Sequence, residues 1–174
     1  MTKPYVYFVE GECEKKFIDI YKVKPHNLFQ PGQVFVFNFI NKYITLDRIS
    51  LLNRNATIIL VYDTDVEDVT KLEANLKMLK DHGFTSILHI QSIYTFEDEL
   101  VYATSMKNIN ELCNSESNNE FKNRFLNLKR ENVTTKLKKY NFDGDLIWNR
   151  QTKDLPFSKY YSHNHQQMIK QKKK

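Results

Sequence analysis

Acidic residues gather at three places in this 174-residue chain: Glu10-Gly11-Glu12, Asp63-Thr64-Asp65-Val66-Glu67, and Glu97-Asp98-Glu99. In an extended segment, residues two apart point the same way, so Asp63, Asp65 and Glu67 can face one site. Carboxylates brought together repel unless a cation binds or one of them takes up a proton. Hard oxygen ligands suit Mg²⁺ or Mn²⁺ and not zinc. One or two such ions can orient a phosphodiester, activate water and stabilise a leaving oxygen. A D-x-D in a loop also has an ordinary structural reading, in which Asp65 or Asp68 caps the helix that follows.

The elements that would position these residues alternate in type. Tyr5–Val9 is a β-rich apolar run, and Glu12–Val23 reads as a helix with Phe17, Ile18 and Tyr21 at spacings of three and four. Val34–Ile40 is the second expected strand and Leu46–Asn53 the second helix, after a loop punctuated by Lys24-Pro25 and Pro31-Gly32. Ala56–Tyr62 is a continuous apolar strand, as expected of one buried on both faces. Val69–Asp81 carries Leu72, Leu76 and Leu79 on one stripe and is closed by His82-Gly83. Ser86–Ile90 and Phe96–Ala103 complete a β-α-β-α-β-α-β-α order. Right-handed crossovers then predict a mostly parallel α/β sheet with helices on both faces. Ligands of such sheets bind at the carboxyl ends of the strands, where the three acidic groups fall.

From about Lys107 the chain changes character. It is rich in Asn and Lys, with an amphipathic piece at Glu120–Leu128, a turn at Asp143-Gly144-Asp145 and a short apolar segment, Leu146-Ile147-Trp148. Residues 1–121 hold 12 basic and 17 acidic residues, a net −5, whereas residues 122–174 hold 14 and 4, a net +10. The overall +5 therefore conceals an acidic head and a basic tail. The expected organisation is an α/β domain over 1–105 and a basic, mainly helical extension over 106–174.

In the tail, Lys136, Lys138 and Lys139 stand beside Tyr140, and Arg150, Lys153 and Lys159 stand near Trp148, Tyr160 and Tyr161. Cations can neutralise phosphates and aromatic faces can stack bases, which predicts a nucleic-acid-binding surface. The alternative is a helical cover whose aromatics pack on the sheet while its lysines are solvated.

With 41% hydrophobic and 27% charged residues, the composition is globular. No apolar run approaches the ~18 residues of a membrane span, and the N-terminal strand meets Glu10 too soon for a signal peptide. Two cysteines make no disulfide framework, so a reducing, cytoplasmic setting is expected. Cys13 lies early in the first helix, where it is either a thiol activated by the helix dipole or an incidental buried residue. His163-Asn164-His165 reads as surface histidines. Four glycines leave no GxGxxG or phosphate-cradling loop.

The unit Tyr7-Phe8-Val9-Glu10-Gly11-Glu12 resembles the first motif of the TOPRIM domain, and Asp63-Thr64-Asp65-Val66-Glu67 resembles its second. Thr95-Phe96-Glu97 followed by Leu100 is similar to the Phe-Glu segment of small OLD-like and RloB-like TOPRIM proteins of bacterial defence loci. The resemblance covers about residues 4–105. It implies a Rossmann-like fold in which Glu10 is a general acid/base or metal-organising residue. Asp63 and Asp65 would bind Mg²⁺ or Mn²⁺, with Glu67 and Glu97 as further ligands. The chain departs from topoisomerases in carrying Asp68 where they carry Gly, and it lacks the zinc-binding cysteines of bacterial primases. The expectation is a metal-dependent nuclease acting on DNA or RNA. The alternative is a non-catalytic relative that binds nucleic acid or regulates a protein partner.

Overall fold

The computed structural model describes residues 4–151, 153 and 156–162. His163-Asn164-His165 and the lysine-rich terminus lie outside the described residues. The elements run β1 (Tyr5–Val9), α1 (Glu12–Tyr21), β2 (Gly32–Val36), α2 (Leu46–Ser50), β3 (Thr57–Asp63), α3 (Thr70–Asp81), β4 (Ile87–Ser92) and α4 (Phe96–Tyr102). They continue with α5 (Asn110–Cys113), α6 (Asn118–Asn127), α7 (Arg130–Lys139) and a short 3-10 turn, Phe157–Tyr160. The sheet is all-parallel in the order β2-β1-β3-β4, with β1 and β3 in its centre. The protein is therefore α/β, with helices on both faces of a parallel sheet.

Alternation along the strands divides the core in two. Tyr7, Val9, Ile59, Val61, Leu88 and Ile90 face α1 and the tail helices, while Val6, Phe8, Ile58, Leu60 and Tyr62 face α3 and the segment after β2. Phe17 is the hub of the first face, with its ring 5.5–5.8 Å from those of Phe96, Phe142 and Trp148. Phe121, Phe125, Val133, Leu137, Ile147 and Trp148, all from the tail, belong to that same cluster. The hydrophobic core thus crosses residue 105 without a break: residues 109–148 add a layer over this face, while Phe157 joins the cluster on the opposite face.

Several element boundaries differ from expectation, among them the end of α2, which stops at Ser50 and not at Asn53. β2 stops at Val36 instead of running to Ile40, because Asn38 Oδ1 accepts the N–H groups of Ile40 and Asn41 (both 2.9 Å) and turns the chain. β4 begins at Ile87 and runs on to Ser92, which pairs in register with Asp63. α1 ends at Tyr21, two residues early. α3 closes as its sequence implied. Gly83 takes φ +90°, its N–H donates to Lys80 C=O (2.9 Å), and the Phe84 N–H reaches Leu79 C=O (3.1 Å). Among the described residues, no helix is long and apolar enough to cross a membrane.

Candidate functional site

Parallel strands deliver their last residues to one edge, and there the carboxylates meet. Glu10 follows β1, and Asp63 ends β3. The Asp63 N–H donates to Glu10 Oε2 (3.3 Å), while the side chain of Asn38, from the turn after β2, also bonds Glu10. Gly11 is the N-cap of α1 and Glu14 lies one turn along it. A Cβ on residue 11 would stand 2.9 Å from Glu14 Oε2, so the glycine leaves room for that carboxylate to fold back over the helix start. Glu97, in the first turn of α4, is buried and completes the group.

Burial sets the electrostatics. It pushes Asp63 up to about 9, and the charges of Glu14 and Glu10 add to the rise. Burial likewise lifts Glu14 to about 7, helped by Glu97 and Glu10. Glu10 is raised by burial and by the nearby Asp65 charge. Asp63 Oδ1 is buried and accepts no hydrogen bond. An all-carboxylate cluster with an unpartnered oxygen is a donor set that fits a hard divalent cation. Among the described residues, no group is already gathered at metal-ligand geometry, so ion binding would draw the side chains closer.

One cation reaches this edge from the tail. Lys122 of α6 places Nζ 3.4 Å from Glu97 Oε1. Burial opposes its charge, but Glu97 and then Glu14 outweigh that and hold its pKa above the ordinary value.

The structure thus brings together Glu10, Asp63 and Glu97 of the expected set. Asp65 is exposed, although its charge reaches Glu10, and Glu67 is exposed in the loop after β3. Asp68 accepts the Thr70 N–H at 2.8 Å just ahead of α3, but the N-cap of that helix is Val69, so neither Asp65 nor Asp68 is its cap. Asp98 forms a capping box with Thr95. Glu14 and Lys122 were missed by sequence reasoning. The signal for Glu14 was its spacing of four from Glu10, which returns it to the same edge after one helical turn. Lys122 carried no local signal, since it arrives through tertiary packing.

The tail residues separate into two kinds. Lys138, Lys139 and Lys153 are exposed and Lys136 is half-buried. Lys138 lines a cleft with Tyr21 and His26, beside the C-terminal end of α1, whereas the carboxylates stand at its N-terminal end. Ten residues of helix separate the two regions, or roughly 15 Å. Arg150, expected to grip phosphate, is instead committed within the fold. Its Nη2 donates to Glu99 Oε1 (2.7 Å) and to Ile93 C=O (2.5 Å), and its guanidinium lies over the Tyr102 ring. Lys159 is paired with Glu73. The helix dipole does not activate Cys13, because burial, followed by Glu14 and Glu97, pushes its thiol up to about 12. Both cysteines are free and buried.

No family model matches this chain, and no curated protein or solved structure matches it either.

Proposed function

We propose that this protein is a TOPRIM-like, divalent-metal-dependent nuclease that hydrolyses phosphodiester bonds in DNA or RNA, with a bacterial or phage defence role as its setting. The observation that carries the reading is the buried, unpartnered Asp63 Oδ1, with the charges of Glu14, Glu10 and Glu97 nearby. Asp63, with Glu10, Glu14 and Glu97 around it and Asp65 at the rim, would hold Mg²⁺ or Mn²⁺. When bound, the ion supplies a Lewis acid for the phosphate and lowers the pKa of water. Glu10, with its raised pKa, exchanges a proton with the attacking water or the leaving oxygen. Lys122 supplies positive charge beside the acids and draws the scissile phosphate towards them.

A cleavage screen over plasmid, single-stranded DNA, tRNA and total RNA tests this, run with Mg²⁺, Mn²⁺ or EDTA. Cleavage is expected only with metal, and Glu10→Ala and Asp63→Asn each lower it by ~100-fold or more. Equal cleavage by wild type and Glu10→Ala after careful purification would refute the reading. Metal-independent binding of polynucleotide without turnover would favour the non-catalytic alternative.

The α7 lysines provide a separate measurement. Lys136, Lys138 and Lys139 would act through the phosphate backbone, independently of sequence. Replacing all three by Gln is expected to flatten the slope of log K against log salt by about one for each phosphate no longer neutralised. An unchanged slope would place nucleic acid elsewhere.

A further inference from the structure

We propose that Trp148 is a positioning residue for the carboxylate site: its indole N–H sets the direction of the Ser92 hydroxyl, which then secures the Asp63 carboxylate and leaves Oδ1 for a cation. The inference rests on the metal-site reading above and names a control on that site from the tail.

Asp63 and Ser92 end β3 and β4 and are partners in register, so their side chains lie side by side on one face. Trp148 Nε1 donates to Ser92 Oγ at 3.1 Å, and both residues are buried. An indole nitrogen can only donate, so Ser92 Oγ must be the acceptor of that bond. The single Ser92 proton is then directed to another acceptor. The adjacent group is the Asp63 carboxylate, where a Ser92 hydrogen bond opposes the rise in pKa caused by burial. Without the indole donor, the hydroxyl is free to rotate away, and it no longer orients Asp63.

Trp148 is itself held rigidly. Its backbone N–H donates to Glu99 Oε2 (2.9 Å), and its ring packs 5.6–5.8 Å from those of Phe17, Phe29 and Phe96. On the other side of Ser92, its C=O accepts the Thr64 hydroxyl (2.8 Å), which ties the loop after Asp63 to the same strand end. Ser92 is thereby held at two points, its hydroxyl by the tail and its backbone carbonyl by the β3 loop. Partners of this outer kind orient a ligand without touching the ion.

Calorimetric titration of the metal-free full chain with Mn²⁺ tests the assignment, using wild type, Asp63→Asn, Ser92→Ala, Trp148→Phe and the Ser92→Ala/Trp148→Phe double variant. Trp148→Phe keeps an aromatic ring while removing the donor, and it leaves a smaller side chain in the core. Circular dichroism verifies folding at the titration temperature. Ser92→Ala and Trp148→Phe are each expected to weaken Mn²⁺ binding by about tenfold. The double variant is expected to bind no more weakly than Ser92→Ala, since Trp148 acts through Ser92. A purely packing role for Trp148 would lower the melting temperature and leave Mn²⁺ affinity unchanged, which would overturn the proposal. So would independent losses that multiply in the double variant. Should Trp148→Phe fail to fold, wild-type affinity in Ser92→Ala overturns the proposal alone. Wild type that does not bind Mn²⁺, or Asp63→Asn that binds it equally well, overturns the metal-site reading itself.

Discussion

In the absence of metal, the protein is expected to lose stability as pH rises from about 5 to 9, and Asp63→Asn is expected to remove most of that loss. Asp63 moves from an ordinary value of 3.8 to about 9 on folding. Glu14 moves from 4.5 to about 7. Between those limits the folded chain binds more protons than the unfolded chain, so stability falls as pH rises. The stabilisation is complete below the unfolded values and is lost as pH passes through the folded ones. Each pK unit corresponds to ~1.4 kcal/mol, so Glu14 alone contributes on the order of 3 kcal/mol. For a chain of this size that is a fall of about 6–12 °C in Tm.

Thermal denaturation in EDTA at pH 5, 7 and 9 measures the effect. The wild-type Tm should drop across the series, and that of Asp63→Asn should drop less, the remaining fall being the one Glu14 sets. At pH 8, Mn²⁺ should restore much of the wild-type loss, because a bound cation stabilises the ionised carboxylates, and it should do little for the variant. A wild-type Tm that rises with pH would mean that these carboxylates are not held in a desolvated cluster.

Arg150→Ala is expected to destabilise the protein by about 3–5 kcal/mol, the cost of leaving a buried carboxylate without its ion partner. Glu99 is 0% exposed. It accepts the N–H groups of Ile93 and Trp148 (both 2.9 Å) and two bonds from Arg150, through Nε at 3.1 Å and Nη2 at 2.7 Å. Burial raises the Glu99 pKa, and the Ile93 N–H and the Arg150 charge oppose it. Arg150→Lys should recover only part of the loss, since an ammonium cannot reproduce the planar fork that spans Glu99 and Ile93. In the Glu99→Gln background, Arg150→Ala should cost much less, as the charge it compensates is gone. Urea denaturation reads all three variants. Unchanged stability with weakened nucleic-acid binding would return Arg150 to the phosphate surface.

Arg150 also illustrates what a single sequence conceals. Beside Trp148 and Lys153 it has the same local character as the solvent-facing lysines, and only the fold brings it to Glu99, 51 positions earlier. The reverse holds for Asp63, whose position at the end of an apolar strand is legible without any long-range information. Glu67, two residues beyond Asp65, satisfied the same spacing argument and stands exposed. Alternation applies only while the chain is extended, and the chain leaves the sheet after Asp63.

The sequence by itself determined the α/β class, the element order and the strand ends at which Glu10 and Asp63 stand. Those features follow from apolar periodicity, helix stops and parallel crossovers, which act over short stretches of chain. The tertiary structure alone decided that the aromatics of the basic tail, up to Phe157, pack into the core. It also brought Lys122 and Trp148 to the acidic edge, and it tied Arg150 to Glu99. These are contacts between residues far apart in the chain, made because β1, β3 and β4 present an apolar face that α1 cannot cover without the tail's aromatics. Burying that face places the partners of the acidic residues, and no local pattern of residue types encodes where such burial will occur.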